Sequence, residues 1–250
     1  MAGPDPHEEV VLVDVDERVA TITLNRPEQR NAINGAMGLG LARAVGDLEA
    51  RDDVDVMILT GADPAFCAGA DLKEIGSTTE SMFSATKDDA DDTYRRDEFG
   101  MFAFRGPFPP RTKLLIGAIN GPAITGGFEL ALNCDLLVES IGVRRARELS
   151  TTGNFLDAQT ALTWGLVNHV VPHDELLPFA RELAAAVVGN DQVGTRRMLR
   201  TYEEIAADVY DGAWGVEKKV NRAWLADGID ATEVAKRRDA IVERGRGQLT

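Results

Sequence analysis

Apolar and polar residues alternate along Val10 to Val15 and again along Val19 to Leu24, on either side of Asp16-Glu17, which predicts a β-hairpin with one buried face. Asn25-Arg26-Pro27 closes it. From Ile33 the period changes: Ile33, Met37, Leu41, Val45 and Leu48 fall four or three apart, so an amphipathic helix is expected to run to about Ala50. Glycines at 35, 38 and 40 weaken it, each by roughly 1 kcal/mol against alanine. A short apolar strand, Met57 to Thr60, ends in Gly61 and is followed by a turn at Asp63-Pro64. Hairpin, helix and buried strand in succession make a ββα-type unit.

The run Leu114 to Val138 looks like another turn of that unit. It reads as a buried strand (Leu114 to Ile119), a Gly-Pro turn, a tight turn at Gly126-Gly127, a short helix carrying Glu129 and an apolar strand (Leu136 to Val138). Further on, Asp157 is placed to cap a helix through Trp164, with Gly165 as its stop, before a strand Leu166 to Val171 that His169 lies near the end of. Asp174 to Val188 repeats apolar residues at 176, 180, 183 and 187. Beyond Gly189 strand signals vanish. Stripes through Met198, Tyr202, Ile205 and Val209, then Val216, Val220 and Trp224, read as helices, and Asp230 with Glu233 starts a last one through Glu243. The division expected is a core over 1–189 and a helical region over 190–250. Helices that expose apolar stripes need a partner to cover them.

Between Ser77 and Pro110 the texture turns acidic, polar and aromatic. A solvated helix followed by an irregular loop accounts for it. A sharper alternative is a lid whose Phe99, Phe102 and Phe104 line a pocket.

Composition narrows the partners. The 250 residues are 44% hydrophobic, enough for a sizeable core, and 27 Lys plus Arg against 41 Asp plus Glu leave a net charge of -14. That charge repels nucleic acid and anionic membrane, so any anionic ligand must be met by a local cluster. Cys67 and Cys134, both in apolar surroundings, are too few for a disulfide framework and suggest a reducing, cytoplasmic setting. Met1 to Glu9 carries neither a secretory nor a mitochondrial signal, and no run approaches a membrane span. His7, His169 and His173 are scattered, with no metal-ligand spacing, nucleophile elbow or phosphate-binding glycine motif.

The chemistry concentrates in two loops. Gly126 and Gly127 let the backbone approach a ligand and leave unpaired N–H groups at a helix start beside the Glu129 carboxylate. Phe66-Cys67-Ala68-Gly69-Ala70-Asp71-Leu72-Lys73 has the same character after the other strand. Two such loops are able to converge on one oxygen. Between Phe128 and Leu130 the Glu129 carboxylate is expected to be desolvated and its pKa raised toward the range of a general acid/base. Asp71 and Glu74 read as a solvated helix start.

Four segments, N-R-P-E-Q-R-N-A-I, F-C-A-G-A-D-L-K-E, I-N-G-P-A-I-T-G-G-F-E-L-A-L-N-C-D and S-T-T-G-N-F-L-D-A-Q-T-A-L-T-W-G-L-V-N-H-V-V-P, resemble in order those of the enoyl-CoA hydratase/isomerase (crotonase) superfamily. The resemblance covers nearly the whole chain. It implies an α/β fold, a crotonase-like spiral of repeated ββα units with a C-terminal helical region, assembled as a homotrimer or a dimer of trimers. It also implies an acyl-CoA substrate and no cofactor other than the coenzyme A of that substrate. Ala70 and Gly126 are then the amides of an oxyanion hole and Glu129 the acid/base. Ala68, Ala70, Asp71 and Leu72 would border the adenine through their backbone, while Arg30, Lys73 and Arg244 would serve the phosphates.

One departure stands out. After Ser140 the family continues through a further strand, a second glycine-rich loop and a helix, about thirty residues in all, the size of a βαβ crossover. Hydratases carry their second catalytic glutamate there. Here Ile141-Gly142-Val143-Arg144-Arg145-Ala146 follows at once. Either the segment is absent from the protein or the numbering closes over it. The second is favoured, because uncovering a packed layer would cost more than the roughly 5 to 15 kcal/mol that stabilises a domain. With two carboxylates, water can be held and added to a double bond; with one, moving a proton between carbons is easier. Enoyl-CoA hydration is the first expectation, with isomerisation, another lyase reaction, or a non-catalytic acyl-CoA-binding role as alternatives.

Overall fold

The computed structural model describes residues 10–71, 108, 111–135, 145, 148–149, 151–152, 154–202, 204 and 236. Four strands, β1 (Val11–Asp16), β2 (Val19–Leu24), β3 (Val56–Gly61) and β4 (Leu114–Gly117), form one sheet in the order β1-β2-β3-β4. The β1–β2 pair is antiparallel, whereas β2, β3 and β4 run parallel. Their carboxyl ends therefore lie together, and the loops leaving β2, β3 and β4 share one edge of the sheet. Ligands of open α/β sheets bind at that edge.

Two helices sandwich the sheet by the period-2 alternation of its strands. Met57 and Leu59 of β3, with Ala20, Ile22, Leu24 and Leu115, face helix α1 (Gly35–Ala50), whose Met37, Leu41, Val45 and Leu48 are buried as its spacing predicts. Val56 and Ile58, with Val19, Leu114 and Ile116, face Ala180 and Ala184 of a later helix over Leu176–Val188. Asn34 starts α1 by accepting a hydrogen bond from the Met37 amide. At its other end the buried Lys113 donates to the Leu48 carbonyl at 2.7 Å and to that of Arg51, while the Glu49 carboxylate accepts from the Thr112 and Lys113 amides. These contacts tie the end of α1 to the start of β4.

The expected hairpin forms, but not with one face buried. β2 is buried on both faces because it is an inner strand with a helix packed over each face, and β1 is an edge that leaves Leu12 and Val13 nearly half exposed. Two short helices follow in chain order, α2 (Gly126–Leu132) and α3 (Ala158–Trp164), ahead of α4, the Leu176–Val188 helix. Asp157 caps α3 through the Thr160 amide, and Gly165 ends it at φ 76°, both as read from the sequence. The predicted strand Leu166 to Val171 is not one. Only Leu166 of that run is buried, 168–170 are exposed, and no neighbouring strand among the described residues offers a ladder. His169 instead packs edge-on against Phe179.

Residues 192–202 are helical. The predicted strand Leu136 to Val138, residues Phe99, Phe102 and Phe104 of the alternative lid, and the helices beyond Tyr202 lie outside the described residues.

Candidate active site

The loop after β3 is stitched on both sides. Toward the β2 loop, the Ala68 amide donates to the Arg30 carbonyl at 2.9 Å, Ile33 donates to Gly69 at 2.7 Å, and Asp71 donates to Ile33 at 2.8 Å. Toward the β4 loop, Cys67 donates to Pro122 and its own carbonyl accepts from Ile124. These are two one-residue parallel bridges, Ile33 with Ala70 and Cys67 with Ala123. Three loops from three strands thus make a small second layer at the carboxyl edge.

That layer aims the Ala70 amide. A trans peptide is planar, so its C=O and N–H point in opposite directions. With the Gly69 carbonyl turned to Ile33, the Ala70 N–H faces away from the β2 loop. Gly126 lies close by: a methyl placed on Gly126 would have the Ala70 nitrogen among its nearest neighbours, at 3.7 Å, and one placed on Gly69 would lie 3.2 Å from the Gly126 nitrogen. No hydrogen bond among the described residues uses either amide. Gly69 is held at φ +86° directly against Ile124 and Thr125, where a side chain has neither the conformation nor the space. Thr125, the residue before α2, sits at φ 46° and ψ -117°. For a β-branched residue that is strained, at a cost of about 1 to 3 kcal/mol.

Glu129 follows Gly126 by three residues and so lies one turn along the same face of α2. The opposite face carries Gly127, Leu130 and Ala131 into the core. The expected desolvation by Phe128 and Leu130 is not met: Glu129 is exposed, because sequence neighbours on a helix point about 100° apart.

Of the other predicted contacts, Arg30 is exposed, in the left-handed region at φ 49°, with its carbonyl on Ala68, so those two are adjacent. Asp71 departs from the expected solvated helix start. It is buried rather than solvated, its amide is spent on Ile33, and its carboxylate takes Arg26 Nη2 at 2.9 Å. Leu72, Lys73, Glu74 and Arg244 lie outside the described residues.

Two residues that carry this geometry were not singled out by sequence. Arg26 looked like part of a turn, yet its Nη1 donates to the Ala32 carbonyl and its Nη2 to Asp71. Asn31, fully buried at φ 56°, accepts from the Arg26 amide and donates to the Ala62 and Ala65 carbonyls, each at 2.8 Å. An asparagine between a polar run and an apolar one is the available signal, since its side chain tolerates the left-handed region. Cys67, whose thiol donates to the Asn31 carbonyl, and Cys134 are buried, with thiols pushed up by desolvation to about 11 and about 12, so they are inert packing.

Two surface hollows of about 510 and 240 Å³ border the loops, one along Asn25 to Gln29 and the other around Asp63, Asn120 and His173. Neither is lined by Ala70, Gly126 or Glu129. Among the described residues no group of acidic, histidine or cysteine side chains is arranged to hold a metal ion, and no helix is long and apolar enough to cross a membrane.

Comparison with known proteins bears on what such a ledge is for. The chain matches the enoyl-CoA hydratase/isomerase family over residues 14–140 and 136–209. It belongs to that family. A probable enoyl-CoA hydratase 1, peroxisomal, of Arabidopsis thaliana is 34% identical over 254 residues, covering 91% of this chain and 90% of that protein. The crystal structure of an enoyl-CoA hydratase from Mycobacterium tuberculosis superposes with a TM-score of 0.73 at 38% identity, over 88% of this chain and 99% of the other. A monofunctional enoyl-CoA isomerase from Mycobacterium smegmatis has a TM-score of 0.58 at 28% identity, over 78% of this chain and 94% of the other. The fold is accordingly the family's α/β spiral. The family match breaks into two pieces that overlap at 136–140, and the full sequence runs on through Ser140-Ile141-Gly142, so the favoured closing of the numbering over a gap does not hold and the expected segment is absent there. The Arabidopsis alignment is also longer than the share of this 250-residue chain it covers, so that relative has positions with no counterpart here.

Proposed function

We propose that this enoyl-CoA hydratase/isomerase family member acts on an enoyl-CoA thioester as a hydratase. What supports the reading is the proximity of the Ala70 and Gly126 backbones, from different loops, with Glu129 a helical turn along from Gly126. A thioester carbonyl seated there accepts both hydrogen bonds, and each donor stabilises the developing oxyanion by about 3 kcal/mol. With charge drawn onto that oxygen the β carbon becomes electrophilic. Water bonds through its oxygen to the β carbon as Glu129 takes one water proton, and the Glu129 carboxyl then returns that proton to the α carbon as the enolate collapses, so one water is added in all and the carboxylate is regenerated. The exposure of Glu129 in the free protein means that the bound acyl chain itself supplies the desolvation that tunes the carboxylate.

Coenzyme A enters as part of the substrate. Its adenine is assigned to the backbone of Ala68, Ala70 and Asp71, and its phosphates to Arg30. We assign the protein to the cytoplasm, on its two reduced, buried cysteines, and to a trimer or a dimer of trimers.

The break in the family match at 136–140 favours one second reading, isomerisation of the double bond by the single carboxylate. One assay separates the two. Hydration of a short 2-enoyl-CoA removes its conjugated absorbance, whereas isomerisation of the 3-enoyl thioester creates it. Glu129→Gln is expected to lower turnover by a factor of a hundred or more, the scale of general acid/base catalysis, with thioester binding within a few-fold of the parent. Unchanged turnover would remove Glu129 from the mechanism.

A further inference from the structure

We propose that Arg26 is a positioning residue that sets the direction of the Ala70 amide, a reading that rests on Ala70 being an oxyanion donor. Ala70 is held by two hydrogen bonds, Ile33 to Gly69 and Asp71 to Ile33, one on each peptide that flanks it. With the Ala68 to Arg30 bond the two loop segments share three backbone hydrogen bonds, a short ladder that ends at Asp71. The Arg26 guanidinium closes it from outside. One arm takes the Ala32 carbonyl on the first segment and the other takes the Asp71 carboxylate on the second, so the fork spans the bridge immediately beside Ile33 and Ala70.

The rest of Arg26 is fixed as well. Its amide donates to Asn31 Oδ1 at 2.8 Å, and Asn31 holds the carbonyls of Ala62 and Ala65. The ion pair is shielded, with side-chain exposures of 14% for Arg26 and 10% for Asp71. A lysine offers only a point charge in place of the planar fork and cannot hold both acceptors in this geometry. Arg26 touches neither amide of the proposed site. It acts through the plane of the Gly69–Ala70 peptide.

The test uses the full chain as Arg26→Met, Arg26→Lys and Asp71→Asn, the last two serving if the first fails to fold. Amide hydrogen exchange without ligand is expected to be at least tenfold faster at Ile33 and Asp71 in each variant, with the strand amides of Leu59 and Ile116 unchanged. Steady-state turnover of a 2-enoyl-CoA is expected to fall tenfold or more in kcat with KM within threefold, because the donor is misaimed while the binding surface persists. Arg26→Met combined with Asp71→Asn is expected to be no worse than the poorer single variant, as for two halves of one device. Faster exchange with full kcat, exchange that rises equally everywhere, or unaltered exchange at Ile33 and Asp71 each overturns the proposal. Failure of the parent protein to turn over any enoyl thioester sinks the donor reading instead, and the ligand-free exchange comparison tells the two failures apart.

Discussion

A methyl group added at Gly127 would lie 2.1 Å from the Cys67 carbonyl oxygen, whereas one added at Gly126 would have ordinary contacts at 3.7 Å with Gly69 and the Ala70 nitrogen. The two neighbours therefore have opposite sensitivities. Gly127→Ala is expected to lose about 3 kcal/mol of stability, the upper range for overpacking, as measured by urea unfolding. Gly126→Ala is expected to unfold at the parent's midpoint yet lose at least tenfold in turnover, because its methyl occupies the space before the Ala70 amide. Equal stability losses in the two would contradict this division. The sequence marked the pair as a tight turn and placed Glu129 beside it, but could not say which glycine serves packing and which access. That depends on Cys67 and Ala70, which reach α2 only through the tertiary fold. Arg26 and Asp71 were obscured for the same reason: each looked like local turn chemistry, and their bond joins two loops.

At the level of elements, periodicity gave α1, α3 and α4 nearly to the residue, because each has a clear stripe and a capping asparagine, aspartate or glycine. It failed at Leu166 to Val171, where apolar content suggested a strand but no partner stands alongside. The β1–β2 turn shows how a poor local sequence is compensated. Glu17 and Arg18 occupy positive φ, 47° and 67°, where Asn-Gly is usual, and Arg18 reaches across to the buried Asp55 through Nε and, at 3.0 Å, Nη2. Hydrogen bonding to Arg18 holds the Asp55 carboxyl below the usual carboxylate range, against the opposing effect of burial. A depressed carboxylate stabilises the fold above its unfolded pKa of about 3.9, and that contribution is lost as pH falls through the lower folded value. Arg18→Met is expected to lower the urea midpoint near neutrality, by less than the loss of a fully buried pair because Arg18 is half exposed. The difference from the parent should shrink below about pH 4 in urea titrations. A pH-independent difference would assign the loss to packing.

For the whole molecule, the helix over 192–202 turns Leu199 toward the sheet and leaves Met198 and Tyr202, one turn apart, 57% and 65% exposed. Val170, Leu177 and Val193 add to the exposed apolar surface. A chain with a net charge of -14 keeps such a patch uncovered only at a cost. Sedimentation at micromolar concentration is expected to give a trimer or a multiple of it, and Met198→Glu to shift the distribution toward monomer; a monomeric parent would refute the assembly. The family and its fold were readable from four motifs spread along the chain. The division into 1–189 and 190–250 turns on residues that lie for the most part outside the described ones. Asp135 has a wider consequence. Its amide and one carboxylate oxygen grip both backbone groups of Leu115, and Arg111 locks the carboxylate from the side. Because the chain is moored there, a tug on it from further along is borne first by these bonds and only then by the ladder of β4.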